Sequence, residues 1–286
     1  MDKYAIFSAM PAPVQWAYLT FKDFIGLRSV DSAAWDQAAA RRLRSGSEVD
    51  LRSIFNDPRL DAEWARIKPE LDSLAITDQA WAVNPGDRRA IYYLIRKLGL
   101  RSVLELGTHI GGSTMHFALA LRELQRESGG DVSLTTVDII DVNDPKIALW
   151  KQRGSTYSPS QMVQMTNCAP LVEFVTKNSL DYYPACRKRF DLVFIDSSHW
   201  ARETWIEIVA AMKVLNDRGL LLLHDYYPGV KRLWPTEKPI PGPYRAVRHL
   251  QKSVARDALQ DLPLGRLPWP TRLGSDMTSL ALLAGK

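Results

Sequence analysis

The stretch Ser102-Val103-Leu104-Glu105-Leu106-Gly107-Thr108-His109-Ile110-Gly111-Gly112-Ser113 (SVLELGTHIGGS) decides how the chain folds. Five residues of strand pattern run into a turn with glycines spaced G-x-x-x-G-G. A helical stripe of Phe117, Leu121 and Leu124 follows. Glycines let a backbone pass close to a ligand and enter a helix sharply. The spacing is neither the G-x-G-x-x-G of dinucleotide binders nor the G-x-x-x-x-G-K-[ST] of P-loops. No lysine stands ready for phosphates. Glu105, two residues before the first glycine, would disfavour a pyrophosphate and suits a cationic ligand instead.

Outward from this turn the pattern alternates. Ile91, Leu94, Ile95 and Leu98 recur at helical spacing, with Gly99 as a stop. Strands are expected at 102–106, 133–138, 171–176, 190–195 and 220–223, with a closing strand at 279–283. Trp205, Ile208, Val209, Met212 and Leu215 fall on one helical face, and Asn216-Asp217-Arg218-Gly219 is expected to turn the chain. Such alternation predicts an α/β fold, a mostly parallel sheet with helices on both faces. Its ligand should lie beyond the carboxyl ends of the strands. Residues 1–85 carry helical patterns and Trp16, Trp35, Trp64 and Trp81, which need something to pack against. They read as a helical N-terminal extension. Asn84-Pro85-Gly86-Asp87 marks a break, and 86–286 reads as the ligand-binding domain.

Composition narrows the class. The net charge of +5 is mildly basic, and Arg41-Arg42-Leu43-Arg44 and Arg187-Lys188-Arg189 are the only basic clusters. Nucleic acid is therefore not an expected partner. Cys168 and Cys186 sit in no CxxC and near no histidine pair, which speaks against a zinc site or a disulfide framework. A reducing compartment, the cytoplasm, is the expected location. No apolar run approaches the roughly 20 residues that span a bilayer. The aromatic, amphipathic segment 14–27 reads as a helix docked on the core, or as one lying on a membrane or partner. Any homo-oligomer is expected to form through the N-terminal helices.

E-x-G-x-x-x-G after a first strand resembles motif I of the class I S-adenosylmethionine-dependent methyltransferases. The following strand ends in Asp138, where that family binds the ribose hydroxyls. Lys177-Asn178-Ser179 resembles its adenine-side loop. Phe190-Asp191-Leu192-Val193-Phe194-Ile195-Asp196 is similar to the fourth strand of its small-molecule O-methyltransferases. The resemblance covers about residues 85–286 and rests on the order of these elements. It implies a Rossmann-like sheet and S-adenosylmethionine bound by Glu105, Gly107, Thr108, Gly111, Ser113, Asp138 and Ser179.

Methyl transfer to oxygen needs an in-line methyl, a base for the hydroxyl proton, and stabilisation of the developing charge. Asp196-x-x-His199 resembles the bacterial O-methyltransferases that modify sugars on natural products. In that group the aspartate helps bind a divalent metal and the histidine is the proposed base. His199 and Asp196 are accordingly the expected catalytic pair. Asp196 and Asp225 are the expected ligands of Mg2+ or another divalent metal. His224, a poorer ligand for magnesium and a better one for softer ions, stands beside them. The alternative is that the two acids orient the acceptor. Acceptor choice is assigned to the segment from Tyr226-Tyr227 through Trp234 to Tyr244, whose rings wall a small-molecule hydroxyl acceptor or pack against the N-terminal helices. The competing functions are a non-catalytic cofactor-binding scaffold and a nucleic-acid methyltransferase.

Overall fold

The computed structural model describes residues 12–78, 82–235 and 238–286. Trp81 and the side chain of Trp16 lie outside the described residues. The sheet has seven strands in the order β3-β2-β1-β4-β5-β7-β6. They are β1 (Ser102–Leu106), β2 (Ser133–Asp138), β3 (Val172–Thr176), β4 (Phe190–Ile195), β5 (Leu215–Leu223), β6 (Leu259–Pro263) and β7 (Ala281–Gly285). Strands β1 to β5 pair in parallel. Strand β7 runs antiparallel to β5, and β6 antiparallel to β7. The chain order reverses direction between β1 and β4, so the crevice opens at their tips.

Both faces of the sheet are covered, which is why its central strands are nearly all apolar. Side chains alternate across a strand. Val103, Leu192, Phe194, Leu220 and Leu222 face one way and share a core with Ile91 and Phe117 from the Pro85–Leu98 and Gly112–Ser128 helices. Leu104, Leu106, Val193, Ile195, Leu221 and Leu223 face the other, against Trp205 and Ile208 of the Ala201–Met212 helix and Val247 of the Gly242–Ser253 helix. The N-terminal helices join these cores. Ile54, Phe55, Leu60, Ile67 and Leu71 are buried in the first, and Trp64 packs edge-on against Tyr92.

Asn84-Pro85-Gly86-Asp87 is the start of a helix. Asn84 accepts a hydrogen bond from the Asp87 backbone N–H, and Pro85 occupies the first helical position, where its missing donor costs nothing. Residues 216–219 remain inside β5, with a register irregularity against β4 between Phe190 and Leu192. Strand β6 has no expected counterpart. Its sequence LQDLP lacks a clean alternation and ends in proline, which an edge strand tolerates.

The Ala12–Arg28 helix packs on the Ala201–Met212 and Gly242–Ser253 helices. Its Asp23 is buried and does two jobs. It accepts from the Ala201 N–H at 3.1 Å, capping the next helix, and from Arg245 at 2.7 Å. Val14, Tyr18, Phe21, Phe24 and Ile25 of the same helix remain exposed. No helix among the described residues is long and apolar enough to cross a membrane.

Candidate active site at the strand tips

A pocket of about 910 Å³ opens at the carboxyl ends of β1, β2, β3, β4 and β5. That volume lies near the upper end of small-molecule sites, enough for a cofactor and part of an acceptor. Gly107, Thr108, Ser113, Asp138, Ser179, Asp196, His199, His224 and Asp225 all border it. Two residues expected there, Glu105 and Gly111, do not.

The departure of Glu105 follows from the pleat. It points to the same side of β1 as Val103, toward the Gly112–Ser128 helix, and is fully buried. Ser113, Thr114 and Thr136 hydroxyls all donate to its carboxylate. The group ties the glycine turn to β2 and the following helix. Burial pushes its carboxyl up to about 7, against the pull of the three hydroxyls. A carboxyl raised in the folded state supports folding fully below its unfolded value of 4.5 and loses that support as pH rises to about 7. The swing is about 3 kcal/mol. Glu105→Gln should flatten the urea-unfolding stability profile between those pH values; an unchanged slope would show that Glu105 does not titrate there.

The turn itself depends on Gly107. It has φ +101°, and an added Cβ would sit 2.3 Å from the Asp196 carbonyl oxygen. Strands β1 and β4 can therefore bring their tips together only with glycine at this position. Asp138 at the tip of β2 accepts from the His109 and Ile140 N–H groups, one to each carboxylate oxygen, at 2.9 and 3.0 Å. Each oxygen keeps acceptor capacity toward the pocket. His116, in contrast, is buried under Trp64 with Nδ1 on the Gly112 carbonyl, and burial pushes it down to about 3.

Three side chains converge where β4 and β5 end. Asp196, His199 and Asp225 each present a potential ligand atom, all within 4.8 Å of one another. His199 Nδ1 stands 3.3 Å from Asp225 Oδ2, while about half of the ring is exposed to the pocket. Gly242 holds this loop from behind, since a Cβ there would meet the His199 carbonyl oxygen at 2.0 Å.

His224 falls outside that group. Its Nδ1 faces Asp196 at 3.1 Å and Asp225 at 3.5 Å, and its Nε2 points at Asp87, 3.6 Å away. Asp87 is fully buried. Burial would favour a neutral ring, but Asp196 and Asp225 hold His224 well above the usual histidine range. Burial would likewise raise Asp225, but the His224 cation, then His199, hold it down at about 2. His224 thus stands between the two carboxylates at the strand tips and the buried Asp87.

Sequence reasoning missed several wall residues. Leu19 and Asp23 come from the N-terminal helix, and Glu207 from the Ala201–Met212 helix. The segment after Asp225 contributes Lys238, Pro239, Ile240 and Pro241 rather than its large rings. Tyr226, Tyr227 and Trp234 are buried, Tyr226 against Tyr244 and Tyr227 against Trp234. Prolines in that segment were a signal for a rigid wall; nothing local marked Asp23 or Glu207.

Residues 104–226 match a family model described as a methyltransferase domain. No curated protein matches the chain by sequence. Solved structures share its fold. An O-methyltransferase from Streptomyces achromogenes involved in tomaymycin synthesis, in complex with SAM, is 20% identical over 81% of this chain and 91% of its own, with a TM-score of 0.50. An O-methyltransferase from Bacillus cereus in complex with SAH is 18% identical over 82% and 94%, with a TM-score of 0.51. The cofactor-bound protein Rv0187 from MTB is 21% identical over 80% and 97%, with a TM-score of 0.54. With the strand order, the glycine turn and Asp138 already in place, residues 104–226 are similar to a methyltransferase domain, and the chain shares the fold of these solved methyltransferase structures.

Proposed function

We propose that the protein transfers the methyl group of S-adenosylmethionine to a hydroxyl of a small molecule, a sugar or glycosylated metabolite, with His199 as the general base. The observation that carries this is the His199–Asp225 pair beside Asp196 at the mouth of the pocket. Asp225 Oδ2, 3.3 Å from Nδ1, favours the tautomer with its proton there, which leaves the Nε2 lone pair for the acceptor hydroxyl. The acceptor oxygen forms a bond to the methyl carbon as the carbon–sulfur bond breaks. The hydroxyl proton passes to His199, and S-adenosylhomocysteine leaves. The sugar class rests on the D-x-x-H resemblance. The O-methyltransferases that share the fold agree with oxygen as the nucleophile.

Asp196 and Asp225 have the chemistry to hold a divalent cation, being adjacent carboxylates at a pocket wall. Such a cation, when bound, would polarise the acceptor hydroxyl and ease its deprotonation. His224 Nδ1 also faces both carboxylates, at 3.1 and 3.5 Å. We expect chelation to lower turnover at least ~10-fold, with Mg2+ or Mn2+ restoring it. A rate indifferent to chelator would leave the two carboxylates as acceptor-orienting groups. Calorimetry with S-adenosylmethionine, followed by methyl transfer assays on a panel of hydroxylated acceptors, tests the function as a whole. Cofactor binding without transfer to any acceptor would favour a binding scaffold.

A further inference from the structure

The wall beside His199 is built by two segments far apart in the chain. On the Ala12–Arg28 helix, Gln15, Leu19 and Asp23 stand four residues apart, in one row along one face. Contacts fix both ends of that row. Asp23 Oδ1 accepts from the Ala201 N–H at 3.1 Å, two residues beyond His199. Gln15 Oε1 accepts from Lys238 Nζ at 3.1 Å. From Lys238 the chain runs through Pro239, Ile240 and Pro241 to Gly242, whose backbone presses on the His199 loop; an added Cβ would lie 2.0 Å from the His199 carbonyl oxygen. Leu19 is thus bracketed between the His199 loop at one end and the 238–241 segment at the other. Helix row, loop and segment together make a collar at the base.

The collar is apolar. Leu19, Trp200, Pro239 and Ile240 all border the pocket, and each is only partly buried. Trp200 is steadied by Lys22, whose ammonium stands 3.2 Å from the ring centroid. The prolines on either side of Ile240 stiffen that segment. Partly exposed apolar side chains around a pocket gain free energy when a ligand covers them with apolar surface. A bare sugar offers little such surface, since nearly every carbon carries a hydroxyl. We propose that the acceptor carries an apolar ring or chain next to its hydroxyl-bearing group, and that Leu19 and Ile240 select it by packing on that apolar part while His199 meets the hydroxyl. The inference rests on the proposed methyl transfer to a small-molecule hydroxyl. It narrows the acceptor to amphipathic compounds, glycosides with an apolar aglycone rather than free sugars.

Calorimetry on the full chain saturated with S-adenosylhomocysteine, titrated with hexyl and with methyl β-D-glucopyranoside, tests this. The two probes share the sugar and differ only in the length of the alkyl group. Wild type should bind the hexyl glycoside ~10-fold or more tighter, well short of what complete burial of the added methylenes would give. Leu19→Ser and Ile240→Ser lie on separate segments, and each should cut that preference at least ~3-fold. Binding of S-adenosylhomocysteine by each variant reports that it is folded. Equal affinities in wild type, or no binding of either glycoside, would overturn the proposal and leave the cofactor reading standing. A preference that both serine variants keep would overturn it too, because the alkyl chain would then lie elsewhere. Failure of wild type to bind S-adenosylhomocysteine would remove the cofactor reading and this inference with it.

Discussion

Replacing His199 with alanine should lower turnover by ~10²-fold or more while leaving S-adenosylhomocysteine affinity within ~2-fold of wild type. The argument is geometric. His199 clusters with Asp225 and Asp196 at the tips of β4 and β5, whereas Asp138, the expected ribose acid, stands at the tip of β2. Its ring is half exposed, so truncation removes little packing and the chain should fold normally. What is lost is a proton acceptor oriented by Asp225. A side chain that only packs on the loop would change neither the chemical rate nor its dependence on pH. Single-turnover methyl transfer together with calorimetry separates these outcomes. Undiminished turnover would take His199 out of the mechanism. Loss of cofactor binding in step with turnover would make it part of the nucleoside site instead.

Gly107→Ala should be the most damaging single methyl group that can be added to the chain's glycine turn. The residue has φ +101°, a conformation that L side chains rarely adopt, and the new Cβ would meet backbone, the Asp196 carbonyl oxygen at 2.3 Å. Backbone cannot step aside as a flexible side chain would. The Gly107 N–H is bonded to the Val137 carbonyl, and the Asp196 N–H to the Leu106 carbonyl, so three strand tips are tied together at this point. Strain and overpacking together should cost about 3 kcal/mol. The displaced tips carry the cofactor turn on one side and Asp196 on the other. Urea unfolding should show the loss of stability, and calorimetry a cofactor affinity reduced at least ~10-fold. An unchanged midpoint with unchanged affinity would mean that the tips are not as close as the structure places them. Gly242 makes a similar close approach behind His199, through contact alone.

The elements nearest the pocket were legible because their signals are local. SVLEL, SLTTVD and FDLVFI are compact apolar or β-branched runs, each ended by a turn signal, and they form β1, β2 and β4. Gly99 ends its helix in the left-handed conformation that the glycine suggested. The edge strand β6 was not legible, since LQDLP pairs on one side only and needs no alternating pattern. Asn84-Pro85 was read as a break because the same residues that end a pattern also begin a helix; cap and loop chemistry coincide there.

The site divides in the same way. Residue types at the strand tips announced themselves: Gly107, Asp138, Asp196, His199 and Asp225 follow apolar strands directly, and all of them border the pocket. Glu105 also sits near a strand end, but the two-residue period of the strand turns it into the core, where three hydroxyls take up its carboxylate. The alternation of Val103 and Glu105 against Leu104 and Leu106 was in the sequence, though proximity to the glycines outweighed it.

By itself the sequence determined the order of strands and helices, the glycine turn, and the set of polar residues placed after each strand. These depend on hydrophobic period and turn chemistry, which act within a few residues. Only the tertiary structure decided which of those polar groups meet. Asp225 reaches His199 because β4 and β5 are neighbours. His224 turns inward to the buried Asp87, a residue of the Pro85–Leu98 helix far away in the chain. Asp23 caps the helix after His199 because the N-terminal helix docks across it. Glu207 stands between two serines because the β3 and β4 loops lean toward the same helix. Each of these contacts joins residues distant in sequence. Their pairing is set by strand order and by which helix faces pack together, information that no short window of residues contains.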